Sequence, residues 1–448
     1  MISRKAVKTL AQATAALTLA FAVTGCGIVG KKDPKTTPTI GNRTPILSRI
    51  ENGAAIDPAL AGLAVVLPPA QTNTDFSQPG GNAAKSYGHL SLAAAPSAIW
   101  TAQITGGNER RRLAGAPVVG GGAAFAVDTD GRVHAFDAAT GAKRWTHQME
   151  IASDLEAAAF GGGVSYDGGR VYATNGVGGV VALNANDGTQ IWAAKPAGPL
   201  RGAPTVAFNS VYVMTQTNQI IALKASDGNI EWQDSGSQGQ AGVFGVAAPA
   251  AAQGTVIAGY SSGELVAHRY ENGRVLWSDA LSRTSISTQV GSLTDIDADP
   301  IIDQGRVYAL GQGGRMAAYE LVTGQRIWEL NVAGISTPAI AGDWIFALTD
   351  KAELLAIARS SGKIRWLTQL QQFKDEKDKK GRISWVGPAL AGGKLWLANS
   401  RGLVVSVDAA SGAVAEFAEL NDAVSLPPIV AGGTLYILDE GGKIHAFR

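Results

Sequence analysis

Six times along the chain a glycine in a polar turn is followed, four residues later, by a tryptophan. The pairs are Gly141 and Trp145, Gly188 and Trp192, Gly228 and Trp232, Gly273 and Trp277, Gly324 and Trp328, and Gly362 and Trp366. The tryptophans are spaced 47, 40, 45, 51 and 38 residues apart. Self-similarity at this period denotes a repeat architecture, in which each unit buries its apolar face only against its neighbours. A single closed core of unrelated elements is therefore excluded at the outset.

The interior of each unit is also repeated. It opens on Ala-Pro or a variant: Ala116-Pro117, Ala203-Pro204, Ala248-Pro249, Asp299-Pro300, Thr337-Pro338, Gly387-Pro388 and Pro427-Pro428. A short apolar run follows, then a Gly turn, then Val-Tyr-Ala or a relative such as Val171-Tyr172-Ala173. A second turn leads to an alternating run such as Arg132-Val133-His134-Ala135-Phe136-Asp137, and the Gly-x-x-x-Trp segment closes the unit. Short β-branched and aromatic runs joined by Gly and Asp turns read as four antiparallel strands. One such unit per ~40–50 residues is a propeller blade.

Counting units gives an all-β, eight-bladed propeller of four-stranded antiparallel blades. The seventh has Glu416 and Phe417 where tryptophan is expected, and the eighth stops at Arg448 after its third strand. A missing fourth strand would leave an open sheet edge. Ala98-Ile99-Trp100-Thr101-Ala102, ahead of blade 1, has the character of that strand, so the last blade is expected to be closed by it. Trp100 and the six repeat tryptophans then occupy equivalent packing positions between blades, rather than a base- or sugar-stacking surface.

The N-terminus is of a different kind. Arg4, Lys5 and Lys8 precede an apolar run from Leu10 to Val23, too short to span a bilayer, which ends Val23-Thr24-Gly25-Cys26. This resembles a bacterial lipoprotein signal, with Cys26 acylated as the mature N-terminus, and Gly27 after it implies the outer membrane. The expected organisation is a signal peptide at 1–25, a lipidated cysteine with a Pro-rich tether at 26–90, and the propeller at 91–448. Within the tether, Arg43-Thr44-Pro45-Ile46-Leu47-Ser48 is a candidate docking peptide, and Leu60 to Leu67 is apolar.

Charge and rare residues narrow the function. Losing residues 1–25 removes three positive charges and no negative one, taking the formal charge from +1 to −2, so nothing draws the mature chain to nucleic acid. Cys26 is the one cysteine, which excludes disulfides and thiolate metal sites. The five histidines do not converge, and Asp295, Asp297 and Asp299 lack the glycine and bidentate glutamate of a Ca²⁺ loop. Neither metal nor cofactor is expected. The mixed-charge run Lys374 to Lys380 and the arginines 110–112 read as exposed loops.

The repeat resembles the PQQ-type propeller repeat, with its Asp-x-x-Thr-Gly-x-x-x-Trp tail. Two classes carry it. Quinoprotein dehydrogenases place a vicinal disulfide against their quinone, which this chain cannot supply, and they carry large insertions absent here. The whole chain resembles instead the BamB family of propeller lipoproteins in the outer-membrane β-barrel assembly (BAM) machine: lipobox, tether, the lead-in Asp75-Phe76-Ser77-Gln78-Pro79-Gly80-Gly81-Asn82, and eight repeats. Its Pro-rich tether, with Arg43-Thr44-Pro45-Ile46-Leu47, resembles the alphaproteobacterial branch of that family. The resemblance implies a non-catalytic scaffold at the periplasmic face of the outer membrane, assisting insertion of β-barrel proteins. Its partners would be the POTRA domains of BamA, other BAM subunits and unfolded outer-membrane clients. The family's BamA contact carries over to Asp295 and Asp297; its Leu/Arg part falls on Leu200 and Arg201 by residue type, or on Phe244 by position. A cell-envelope adaptor with another partner is the remaining alternative.

Overall fold

The computed structural model describes residues 54–200, 202–237, 247–281 and 295–448. They form eight four-stranded antiparallel sheets around an axis. Blade 1 is typical, with strands Val118–Gly120, Ala123–Val127, Arg132–Asp137 and Lys143–Gln148 running from the axis outward. The second and third strands are buried almost end to end because each sheet is covered on both faces by neighbours. The outermost strand alternates exposed and buried, with Trp145 its buried member.

Blade 8 is closed as the sequence predicts. Ile429–Ala431, Thr434–Leu438 and Lys443–Phe447 are completed by Ala98–Gln103, which pairs antiparallel with Lys443–Phe447. Ser97 and Arg448 exchange both backbone hydrogen bonds, at 2.7 and 2.8 Å, joining the two ends of the ring.

The repeated glycine and tryptophan turn out to serve different interfaces. Each tryptophan indole N–H donates to a carbonyl in the next blade: Trp100 to Ala138, Trp145 to Ala185, Trp192 to Ala225, Trp232 to Tyr270, Trp277 to Leu321, Trp328 to Arg359 and Trp366 to Ala409, at 2.7–3.2 Å. Each indole face lies against the next blade's turn glycine. A Cβ on Gly188 would sit 2.6 Å from Trp145, and one on Gly273 2.4 Å from Trp232. These glycines have φ of +73° and +69°, so the turn needs glycine for its backbone and for the ring above it. Blade 7 lacks the tryptophan for a reason the fold supplies: the third and outer strands of blade 8, Lys443–Phe447 and Ala98–Gln103, are not joined by a turn that could receive one. Phe417 fills the space instead, edge-on to Trp396 and Phe447.

The turn itself is built by its aspartate. Asp137 accepts from the backbone of Ala139 and Thr140, the Thr140 hydroxyl and the Arg144 guanidinium, which together hold its carboxyl down to about 2.

The expected tether is corrected over residues 54–90, which pack on the propeller. Ile56 bridges Ile364 on the outer strand of blade 6, and Asp57 pairs with Lys363 at 2.8 Å. From Asn73 the chain then circles inside the ring along the innermost strands. Asn73 bonds Val430 and Gly432 of blade 8, Phe76 pairs with Val119 of blade 1, and Ser77 accepts from Tyr166 of blade 2. Gln78 makes two bonds to Val206 of blade 3, Ala83 and Ala84 accept from Ala251 and Ile302 of blades 4 and 5, and Leu90 pairs across Leu390 and Gly392 of blade 7. The physical reason is the inner strand edge: its N–H and C=O groups face the channel and need partners. A strap of main chain supplies them. Phe76, Lys85 and Leu90 are buried along it. Residues 26–53 lie outside the described structure.

Candidate docking face

In an antiparallel blade the chain alternates direction, so all connections between blades emerge at one end of the ring. The turns between the second and third strands share that end. The strap closes the channel nearer the other end, because it meets the innermost strands close to their final residues. What remains is an axial cavity of about 230 Å³, open among the inter-blade connections. Its floor is Phe76, Pro79, Gly80 and Tyr87 of the strap; its wall includes Pro117, Ala203, Asp297, Asp299, Thr337, Pro388 and Pro428. The opening dipeptides of blades 1, 3, 5, 6, 7 and 8 thus contribute to the wall.

The acidic stretch lies in the connection from blade 4 to blade 5. Ile296 and Ala298 are fully buried, Ile296 beneath Tyr260 of blade 4 and Ala298 in the core shared by blades 5 and 6. Asp297 and Asp299 line the axial cavity. Asp299 is 7% exposed; it accepts from the Ala248 N–H at 2.7 Å, and its own N–H donates to the Thr337 hydroxyl at 2.9 Å. Burial pushes its carboxyl up, against the pull of Lys85. Lys85, 1% exposed on the strap, donates to the Thr205 hydroxyl at 3.0 Å, and burial brings its ammonium down to about 8. Lys85 and Asp299 therefore tie strap, blade 3 and blade 5 together beside the cavity.

The residues singled out from sequence separate into distinct situations. Asp297 is half-buried at the cavity mouth. Asp295, two residues before it, is 0% exposed, and its backbone carbonyl accepts from Gln312 of blade 5. Leu200 is 4% exposed; it bridges Thr215 and packs with Tyr172, Trp192 and Val206 between blades 2 and 3. Its side chain belongs to the core between those blades. Arg201, Phe244 and Cys26 lie outside the described residues. His134 and His445 occupy matching positions, each bonded to an aspartate, Asp128 at 2.9 Å and Asp439 at 2.8 Å. These pairs brace turns within their own blades. Among the described residues no group of three or more His, Cys, Asp or Glu side chains converges as a metal site.

The family model described as outer membrane protein assembly factor BamB matches residues 93–152 and 129–368. The chain belongs to the BamB family. A BamB relative from Yersinia pestis, named an outer membrane protein assembly factor, is 28% identical over 357 residues, covering 79% of this chain and 88% of the relative. The crystal structure of BamB from Moraxella catarrhalis superposes with a TM-score of 0.66 at 19% identity, covering 79% of this chain and 99% of that one. A quinohemoprotein alcohol dehydrogenase from Comamonas testosteroni superposes equally well, with a TM-score of 0.68 at 15% identity over 84% of this chain and 81% of that one. At such identities the superpositions speak for the propeller fold, which both classes share. The sequence match is what separates BamB from the dehydrogenases.

Proposed function

We propose that this BamB-family chain is a non-catalytic scaffold of outer membrane protein assembly. It is held at the periplasmic face of the outer membrane by lipid on Cys26, and it docks the POTRA domains of BamA through the face that carries the inter-blade connections. The observation that carries the reading is that face itself. It is a broad set of loops on a ring whose eight blades are locked by repeated contacts, with Asp297 at the mouth of its central cavity. A rigid display surface is what a scaffold requires, and it needs no reactive group. Asp297 is the acid placed to meet a basic partner group. Asp295, buried as it is, supports the loop that presents Asp297. Arg201 and Phe244 remain candidates for the same contact, and the other BAM subunits and unfolded clients remain candidate partners.

The quinoprotein alternative is disfavoured by the chemistry of the cavity. Pyrroloquinoline quinone is a polycarboxylate. Among the described residues, the lining offers Asp297 and Asp299 and includes no lysine, arginine or histidine. An anionic cofactor placed there would face the two carboxylates, and the nearby Lys85 is buried and already engaged with Thr205 and Asp299.

The test is a chromosomal deletion complemented by the wild-type gene or by a Cys26→Ser allele. The reading expects reduced outer-membrane β-barrel proteins in the deletion strain, restoration by wild type and poor restoration by the unlipidated form. Normal barrel-protein levels in the deletion strain would refute it.

A further inference from the structure

The connection from blade 6 to blade 7 is a structured finger. Phe373–Asp375 and Lys380–Arg382 form a two-stranded hairpin on the same end of the ring as Asp297. Its root is firm. Ile383 is 4% exposed and donates its N–H to Gln372 at 2.7 Å; the Trp385 indole donates to Gln371 at 2.8 Å; and Arg382 donates to the Asp350 carbonyl at 2.8 Å.

The finger carries five basic and three acidic residues, which are partnered differently. Its acids are taken up locally. Glu376 accepts from the backbone N–H groups of Gln372 and Phe373, Asp375 from that of Asp378, and Asp378 pairs with Lys380 at 3.2 Å. Among the described residues, no carboxylate lies within 4 Å of Lys374, Lys377 or Lys379, all of them exposed. Acids and lysines alike are exposed, but each acid is engaged within the turn, whereas Lys374, Lys377 and Lys379 pair with no carboxylate; with Lys380 and Arg382 the finger's formal balance is +2.

We propose that this hairpin is a second docking element, which engages an acidic surface on the same periplasmic partner that meets Asp297. The inference rests on the docking reading above. It adds that the partner carries charge of both signs, basic opposite Asp297 and acidic opposite the finger. Exposed lysines on a rigid projection act chiefly on encounter: they steer and orient the partner, raise the association rate and lose influence as salt screens them.

The experiment uses the mature chain with Cys26→Ser, and the same chain bearing Lys374→Glu, Lys377→Glu and Lys379→Glu. Association and dissociation with the BamA periplasmic domains are measured at about 50 mM and about 500 mM salt, where screening lengths differ about threefold. The expected result is an association rate roughly tenfold slower at low salt, a gap that closes at high salt, and a little-changed dissociation rate. Thermal melts of the two chains should coincide, since the lysines touch nothing buried. Equal association rates at low salt would overturn the proposal, and so would a gap that salt does not narrow. Loss of co-sedimentation with vesicles of about one-third anionic lipid, with partner kinetics intact, would assign the finger to the membrane and also overturn it. A parent chain that does not bind at all removes the docking reading and this inference with it. A parent that binds as well as the reversed variant removes this inference alone.

Discussion

Replacing Gly273 with alanine should cost far more than replacing Gly305, although both glycines sit in left-handed turns of neighbouring blades. Gly273 has φ +69° and Gly305 φ +74°, so each alanine pays a similar backbone penalty of about 1–2 kcal/mol. Their surroundings differ. A Cβ on Gly273 would lie 2.4 Å from the Trp232 ring, and that ring is 7% exposed and held by its bond to the Tyr270 carbonyl. A Cβ on Gly305 meets nothing within 4 Å. Forcing an atom into the first site adds an overpacking cost of about 1–3 kcal/mol. Gly273→Ala should therefore lose about 2–5 kcal/mol, and Gly305→Ala about 1–2 kcal/mol. Urea unfolding of both variants in the Cys26→Ser background, followed by tryptophan fluorescence, measures the difference through the midpoints if the slopes agree. Equal losses would mean that the blade interface does not depend on the ring-on-glycine contact. So would a smaller loss at Gly273.

Three further outcomes follow from the strap and the turns. Phe76→Ala should lower stability by about 3–5 kcal/mol, measured by the same urea titration. Because Lys85 binds its proton more weakly when folded, falling from 10.5 to about 8, the unfolded chain holds more protons between those values; stability from this group rises with pH from about 8 to about 10. Lys85→Met should abolish that rise when stability is compared at the two pH values. Asp137 binds its proton more weakly when folded, at about 2, so its contribution is present above the unfolded value and is lost as pH falls from about 4 to about 2; Asp137→Asn should flatten the acid limb of the melting curve there.

The blades were legible because the residues that define them are side-chain requirements repeated many times. Trp145 needs a glycine beneath it and a carbonyl in reach, and Gly188 with Ala185 provides both, so the pair leaves a periodic mark in sequence. The closing strand was legible for the same reason, through Trp100. The strap was not, beyond its resemblance to a lead-in segment. Ser77, Ala83 and Ala84 act there through backbone carbonyls, which many residue types can supply, and its prolines and scarce aromatics suggested a tether. The acidic stretch was half legible. Its position in the chain pointed to the loop, but the burial of Asp295 depends on how Ile296 seats against blade 4, and no local pattern encodes that. Leu200 misled because a leucine beside Ala-Pro serves equally as an exposed anchor or an inter-blade plug. The charged run 374–380 was legible as an exposed loop, but its charge sum did not reveal a hairpin whose acids bond within their own turn.

The central claim is that the connection face docks BamA, and binding measures it most directly. The mature Cys26→Ser chain should bind the BamA periplasmic domains, and the Asp297→Ala variant, shown folded by its unchanged melt, should bind at least tenfold more weakly. Binding by the variant equal to that of the parent would contradict the assignment of this face, and a folded parent that does not bind would contradict the docking function itself.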